Sequence, residues 1–184
     1  MGNLITTELH KSKKALLIGN DEVMDDLKKL KTVLTKHFNY PEVSIGTELG
    51  HFFTRLEVQD ELFLYMIEPK VDIMTYCNKL PSGTRLTVIM ETERKVGLPF
   101  KYSNCNRESG NGDCKADVVV ISTAAMDGIM TKMIVSSIES YNLEELTWID
   151  FVDVIQQQLK DWGYSQSVEL SVSNEKLFGQ NIGM

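Results

Sequence analysis

Four short runs of this sequence are apolar almost throughout, and they alternate with segments of helical periodicity. The runs are Ala15–Ile18, Leu62–Ile67, Arg85–Met90 and Asp117–Ile121. Residues Asp21–Phe38 carry apolar side chains at intervals of three or four, which is typical of an amphipathic helix. Strands without a polar face need cover on both sides, and strands that alternate with helices indicate a parallel sheet. The sequence therefore predicts an α/β, three-layer fold with a mostly parallel central sheet flanked by helices.

The remaining segments complete this pattern. Glu42–Ile45 is predicted to be another strand, and Val168–Val172, in which apolar and polar residues alternate, is predicted to be an edge strand. Further helices are predicted over Leu49–Val58, Val71–Leu80, Gly128–Ser140 and Leu143–Leu159. Because no repeat or linker divides the chain, we expect an N-terminal arm over residues 1–13 and a single domain over residues 14–184.

The chain of 184 residues is acidic, since 19 Lys and Arg residues stand against 26 Asp and Glu residues and give a net charge of −7. This balance argues against non-specific nucleic-acid binding, which requires a surplus of positive charge. The 3 cysteines are too few for a disulfide framework or a four-cysteine zinc site, so we expect no metal and no cofactor. They fit a reducing compartment, and the expected location is the cytoplasm. No apolar stretch reaches the roughly 20 residues that a membrane helix needs.

The N-terminal sequence Met-Gly-Asn-Leu-Ile-Thr matches the short pattern for N-myristoylation, which makes Gly2 the candidate lipidation site. One myristoyl chain holds a membrane only weakly, so a second signal is needed. Lys11, Lys13 and Lys14 could form that basic patch, or they could simply solvate the approach to the first strand. A peripheral membrane location is therefore expected only if Gly2 is myristoylated.

Five segments, taken in order, resemble metacaspases, the caspase-like cysteine peptidases. They are Lys14–Gly19, Asp60–Tyr65, Arg85–Glu91, Gly97–Ser103 and Ala116–Ser122. Four of them resemble strands of that family, and the Leu-Pro-Phe segment near residue 99 resembles the stretch that follows the family's nucleophile. The resemblance covers most of the chain and implies a caspase-like fold for the domain.

Both catalytic positions of that family are replaced in this sequence. The family carries Ser-Gly-His-Gly after its third strand, where Pro69 stands in place of the histidine. It carries Asp-X-Cys-His-Ser-Gly after its fourth strand, where Glu93 stands in place of the cysteine. Proline has no side-chain proton acceptor and a carboxylate cannot form a thioester, so the Cys/His dyad is absent. The segments that the family uses for calcium-dependent activation and substrate binding are also shortened.

Glu91 has two readings. It matches a family Asp that helps to form an acidic pocket for Arg or Lys side chains, so the resemblance implies a remnant of a substrate pocket at Glu91. Alternatively, a carboxylate at a strand end could be solvated or paired with Arg94 or Lys95.

Other histidines and cysteines do not replace the dyad. The histidines are predicted to lie in the arm and on helices, away from the strand ends: His10, His37 and His51. Cys77 is expected on a helix as a small buried side chain. Cys105 and Cys114 flank a loop and could pair under oxidation or hold a metal, although no further Cys or His pair supports a metal site.

We therefore expect a non-catalytic, metacaspase-like pseudoenzyme that acts through protein–protein interaction or regulation. The expected partner is a protein, either an active metacaspase or a membrane-associated complex. One alternative is a small α/β hydrolase-like enzyme that uses Glu91 and Glu93, because ligands of such sheets bind at the carboxyl ends of the strands. Another is a structural interaction component whose fold supplies only a packing surface.

Overall fold

A computed structural model describes residues 12–54, 56–57, 60–67, 72–92, 100, 102–103, 114–124, 128–142 and 145–182. Its centre is a sheet of seven strands: β1 (Lys13–Ile18), β2 (Glu42–Ile45), β3 (Glu61–Ile67), β4 (Arg85–Glu91), β5 (Tyr102–Ser103), β6 (Asp117–Thr123) and β7 (Val168–Val172). Within the described residues, the strand order is β2-β1-β3-β4-β6-β7-β5. Strands β2, β1, β3, β4 and β6 are mutually parallel, whereas β7 is antiparallel to both of its neighbours. The mostly parallel sheet is confirmed.

Strand β7 is not the edge strand that its alternating sequence predicted. It pairs with β6 on one side and with β5 on the other, and all five of its residues are buried. Its polar residues bond to protein instead of water: Ser171 Oγ accepts a hydrogen bond of 3.2 Å from the backbone N–H of Phe100. The alternation of apolar and polar residues therefore belongs to a strand whose polar side chains have buried partners. Within the described residues, β2 and β5 are the edge strands of the sheet.

Helices cover both faces of the sheet. The helices are α1 (Met24–His37), α2 (Leu49–Phe52), α3 (Met74–Cys77), α4 (Ile129–Ser140) and α5 (Trp148–Asp161). Helices α1, α4 and α5 pack side by side on one face, and the short helices α2 and α3 contribute to the core on the other. Two single turns of 3₁₀ helix, Asp21–Val23 and Glu175–Gly179, complete the described elements. The architecture is an α/β fold in three layers.

Three helices are shorter than their apolar patterns predicted, for local reasons. Helix α2 ends early because the Thr54 hydroxyl donates to the His51 carbonyl at 2.7 Å, which occupies a helix acceptor. Helix α3 is followed by turns that lead to Pro81. Helix α5 begins at Trp148, since Thr147 and Asp150 form a reciprocal capping box that fixes its first turn.

Successive side chains of each strand alternate between the two faces, and this alternation divides the core. In β3, Phe63 and Tyr65 belong to the apolar cluster under α1, α4 and α5. Leu62, Leu64 and Met66 belong to the cluster on the opposite face. Glu91, which follows Ile89 by two residues in β4, therefore lies on the face covered by α4. This places a carboxylate beneath a helix.

Candidate functional site

The candidate site lies where β3 and β4 end. The two strands are parallel neighbours, and Ile67 at the end of β3 is opposite Glu91 at the end of β4. The ends of β3 and β4 therefore lie side by side at one edge of the sheet. Pro69 and Glu93 themselves lie outside the described residues.

Glu91 is held by two groups and is completely buried, with 0% of its surface exposed. Its Oε1 atom accepts a hydrogen bond from the hydroxyl of Tyr65 in β3. The same oxygen accepts a hydrogen bond of 3.0 Å from the backbone N–H of Thr131 in α4. Thr131 is the third residue of that helix, where N–H groups have no acceptor within the helix. A carboxylate in the middle of the sheet thus caps α4.

A third hydrogen bond closes the cluster. The Thr131 hydroxyl donates to the oxygen of Tyr65, and Tyr65 uses its own proton to bond to Glu91. Tyr65 and Thr131 are each 0% exposed. We call Tyr65, Glu91 and Thr131 the buried triad, and it connects β3, β4 and α4 through side chains.

The turn before α4 also depends on a specific backbone conformation. Gly128, the residue that precedes the helix, has a φ of 71°, in the left-handed region that favours glycine. A Cβ atom there would lie 3.1 Å from Cγ1 of Val23 and 3.3 Å from Oδ2 of Asp26. Glycine therefore allows the start of α4 to approach both the start of α1 and the Glu91 carboxyl.

The electrostatics of the triad favour protonated groups. Burial raises the pKa of Glu91, although the Tyr65 hydroxyl and the backbone N–H groups at the start of α4 act in the opposite direction. Burial, together with the nearby charge of Glu91, raises the pKa of Tyr65 well above its ordinary value of 10.0. Tyr65 remains a phenol at any physiological pH, and it acts as a hydrogen-bond donor.

One oxygen of Glu91 has no hydrogen-bond partner among the described residues. Its Oε2 atom is buried and unpaired, whereas Oε1 accepts two hydrogen bonds. An unpaired buried oxygen is costly for a carboxylate and less so for a carboxylic acid, which agrees with the raised pKa. The reading of Glu91 as a solvated side chain is therefore wrong. Arg94 and Lys95, its alternative partners, lie outside the described residues.

The cysteines in the described part of the chain are structural. Cys77 lies on α3 and is 0% exposed, which confirms the expected buried helical cysteine. Burial raises the pKa of its thiol to about 12, far from the thiolate form that a nucleophile needs. The Cys114 thiol donates a hydrogen bond of 3.1 Å to the Cys77 carbonyl. The pairing of Cys114 with Cys105 is not tested, because Cys105 lies outside the described residues.

The two described histidines lie away from the triad, as predicted. His37 is the last residue of α1 and is exposed, and His51 lies on α2 with 84% of its side chain exposed. His10 and Gly2 lie outside the described residues. Neither described histidine contacts Glu91.

Tyr65 and Thr131 were missed by the sequence analysis. Tyr65 stands inside an apolar run, where an aromatic ring is read as core, and Thr131 stands in a helix rich in Ile and Met. Only the register of β3 against β4, and the position of α4 across them, brings both hydroxyls to Glu91. The signal available in the sequence was the alternation of side chains along each strand, because it places Tyr65 and Glu91 on the same face of neighbouring strands.

The described residues include neither a metal-ligand cluster nor a membrane-spanning helix. These residues contain no group of three or more His, Cys, Asp and Glu side chains placed to hold a metal ion. They also contain no helix that is long and apolar enough to span a membrane.

Comparisons with known proteins place the fold but not the family. No family model and no curated protein matches the chain. The crystal structure of protein GSU0716 from Geobacter sulfurreducens is similar to it, with a TM-score of 0.59 and 10% sequence identity. The similarity covers 94% of this chain and 98% of that one. At this identity the similarity supports the α/β fold alone.

Proposed function

We propose that this protein is a non-catalytic, metacaspase-like pseudoenzyme that acts by binding another protein. The observation that carries the proposal is the buried triad at the ends of β3 and β4. The carboxylate at the position of the family's pocket residue has 0% exposure and bonds to Tyr65 and α4. It stabilises the scaffold at the edge where Pro69 and Glu93 replace the dyad.

The described thiols and imidazoles support the same proposal. A cysteine peptidase requires a thiolate next to an imidazole. Cys77 is buried with a raised pKa, Cys114 is bonded to a carbonyl, and His51 is an exposed residue of α2. None of these three side chains belongs to the triad at the ends of β3 and β4.

A cleavage assay tests the negative part of the proposal. The purified protein is incubated with fluorogenic peptides that end in Arg or Lys, with calcium and with a calcium chelator. We expect no cleavage above the rate in buffer. A variant with Cys77, Cys105 and Cys114 replaced by Ser is the matched control. Specific cleavage by the wild-type protein, whether it depends on one of these cysteines or survives their replacement, would contradict the proposal.

A hydrolase that uses Glu91 and Glu93 is the second candidate. One observation favours it, namely the raised pKa of a buried carboxyl at a strand end, which is a common property of general acids. The buried position of Glu91 weighs against it, because a general acid must reach the proton acceptor in a substrate. Hydrolysis of ester or glycoside substrates that is lost in Glu91→Gln and in Glu93→Gln would favour this candidate.

The partner and the location form a further part of the proposal. We infer that the partner is an active metacaspase or a membrane-associated complex, reached from the cytoplasm, with membrane attachment through myristoylated Gly2. Cells expressing the full chain are fed an alkyne analogue of myristate, and label in the wild-type protein but not in Gly2→Ala is expected. Affinity capture with the same two proteins then separates partners that require the lipid from those that do not. Absence of label in the wild-type protein would remove the membrane part alone.

A further inference from the structure

Strand β2 is an edge of the sheet, and one of its faces is uncovered. In the described part of the chain it pairs with β1 only. Glu42 and Ser44 are exposed on one face, whereas Val43 is buried on the other and packs with α1 and its neighbours. An uncovered edge strand is a template for a further extended segment.

The register identifies which backbone groups of β2 point outward. Gly46 N–H donates to Leu17 O at 3.0 Å, so the backbone of Gly46 faces β1. In a parallel ladder, alternate residues of a strand face the same neighbour. Glu42 and Ser44 therefore face β1, and Val43 and Ile45 direct their N–H and C=O groups away from the sheet. Two donors and two acceptors are arranged for an added strand.

A groove runs along the uncovered face beside this edge. Its volume is about 630 Å³, and Leu16, Ser44 and Phe52 of α2 are among the residues that line it. Among the described residues that line it, Glu42 and Glu48 supply two carboxylates and Lys14 supplies one ammonium group, so these three side chains carry a net charge of −1. The groove is therefore acidic and borders the free backbone groups.

We propose that β2 and this groove bind an extended segment of a partner protein in which basic and apolar residues alternate. The segment adds to the sheet through the backbone of Val43 and Ile45. Its basic side chains lie on the groove side near Glu42 and Glu48, and its apolar side chains continue the face of Val43. The inference deepens the proposed function, on which it rests, by naming a surface and the chemistry of the partner.

Charge favours such a partner over a second copy of this chain. In a dimer paired through β2, Glu42 of each copy would lie at the shared edge, and each copy carries a net charge of −7. Like charges across a strand pair are destabilising, and opposite charges are favourable. In addition, β2 has only four residues and follows Pro41, which limits pairing between identical edges.

A peptide titration tests the inference. The probe is the acetylated and amidated peptide Val-Lys-Val-Lys-Val, added to ¹⁵N-labelled full-length protein and followed by NMR. We expect saturable binding, with the amide signals of Val43 and Ile45 among the most strongly shifted. Two N-methylated versions of the same peptide are also tested, one methylated at the odd-numbered residues and the other at the even-numbered residues. One of the two versions should bind at least tenfold more weakly than the other, because its methyl groups replace the backbone donors that face β2.

Two protein variants distinguish the local effect of the Glu42 charge on binding from the effect of the net charge of the chain. Glu42→Lys should weaken binding of the lysine peptide at least tenfold. Glu175→Lys, on the 3₁₀ turn after β7, changes the net charge equally and should leave the affinity within twofold. The inference is overturned by no saturable binding, by equal binding of both N-methylated peptides, or by shifts that exclude β2. A dimer in sedimentation that is lost in Glu42→Lys would also overturn it. These outcomes are independent of the cleavage assay, which tests the proposed function.

Discussion

Replacing Glu91 by Gln should change how the stability of the fold depends on pH. The amide oxygen of Gln can still accept hydrogen bonds from Tyr65 and from the backbone of Thr131, while the ionisable proton is lost. The amide nitrogen takes the place of Oε2, which has no partner among the described residues. This unpaired donor costs about 1–3 kcal/mol, and the cost is the same at every pH.

The pH-dependent part of the change in the free energy of unfolding has a definite sign. Because burial raises the pKa of Glu91 above its ordinary value of 4.5, the folded protein binds this proton more tightly than the unfolded chain does. Below pH 4.5 the carboxyl is protonated in both states. As the pH rises from 4.5 through the raised folded pKa, the wild-type protein loses stability, by about 1.4 kcal/mol for each unit that separates the two values. The Gln variant lacks this loss.

Urea denaturation measures the difference. Midpoints and slopes are recorded for both proteins between pH 4 and pH 8 at constant ionic strength. Tryptophan fluorescence is the signal, since Trp148, the first residue of α5, is buried in the core. The wild-type free energy of unfolding, minus that of Glu91→Gln, should fall with rising pH. Glu91→Leu is the matched control, because it also removes the titration but loses both hydrogen bonds of Oε1. It should be less stable than the Gln variant, with the same dependence on pH.

Two results would refute this reasoning. Curves for wild type and Glu91→Gln that stay parallel over the whole range would mean that the folded pKa is not raised. A wild-type protein that gains stability relative to the variant with rising pH would mean that hydrogen bonds from Tyr65 and α4 outweigh burial.

Three further changes, each followed by urea denaturation, test the hydrogen bond of Tyr65, the turn before α4 and the cap of α5. Tyr65→Phe should cost about 1–3 kcal/mol, because Glu91 Oε1 loses a buried donor and the Thr131 hydroxyl loses its acceptor. Its combination with Glu91→Gln should cost less than the sum of the two, and additive costs would contradict the contact. Gly128→Ala should cost more than Gly163→Ala. Both residues have positive φ, for which alanine costs about 1–2 kcal/mol, but of the two only Gly128 has neighbours within 4 Å of an added Cβ atom. Equal costs would exclude the packing contribution. Thr147→Ala should cost about 0.5–2 kcal/mol by removing the capping box of α5, and Thr147→Ser should be close to wild type.

The central sheet could be predicted because its strands are buried on both faces. Runs such as Leu62–Ile67 have no polar face, and such runs occur in parallel sheets covered by helices. The strand β7 could not be assigned in the same way. Its alternation of Val, Glu, Leu, Ser and Val is identical to that of a half-exposed strand, and only tertiary contacts show that Ser171 bonds to Phe100 instead of water. Alternation reports polarity along a strand, not the position of the strand in the sheet.

The candidate site was predictable in position but not in role. Glu91 was singled out because it matches a pocket Asp of the family that the sequence resembles and because it falls at the carboxyl end of a strand. The structure places it beside the end of β3, as a parallel sheet requires. Its hydrogen bonds depend on residues 26 and 40 positions away in the sequence, and no local pattern encodes such separations. Long-range partners of a buried charge follow from register and helix placement.

The buried triad gives a physical reason for a carboxylate at this strand end that is independent of peptide binding. A carboxyl group at the N-terminus of α4 supplies an acceptor for a free N–H group of that helix, and its ionised form also interacts favourably with the helix dipole. Removing it would leave the Thr131 N–H and the Tyr65 hydroxyl without their acceptor inside the protein. The contacts of Glu91 therefore help to hold α4 against β3 and β4. These contacts explain an acidic residue at this position without a pocket, whereas Glu42 on β2 and Glu48 before α2 are the exposed carboxylates on which the proposed binding of a basic segment rests.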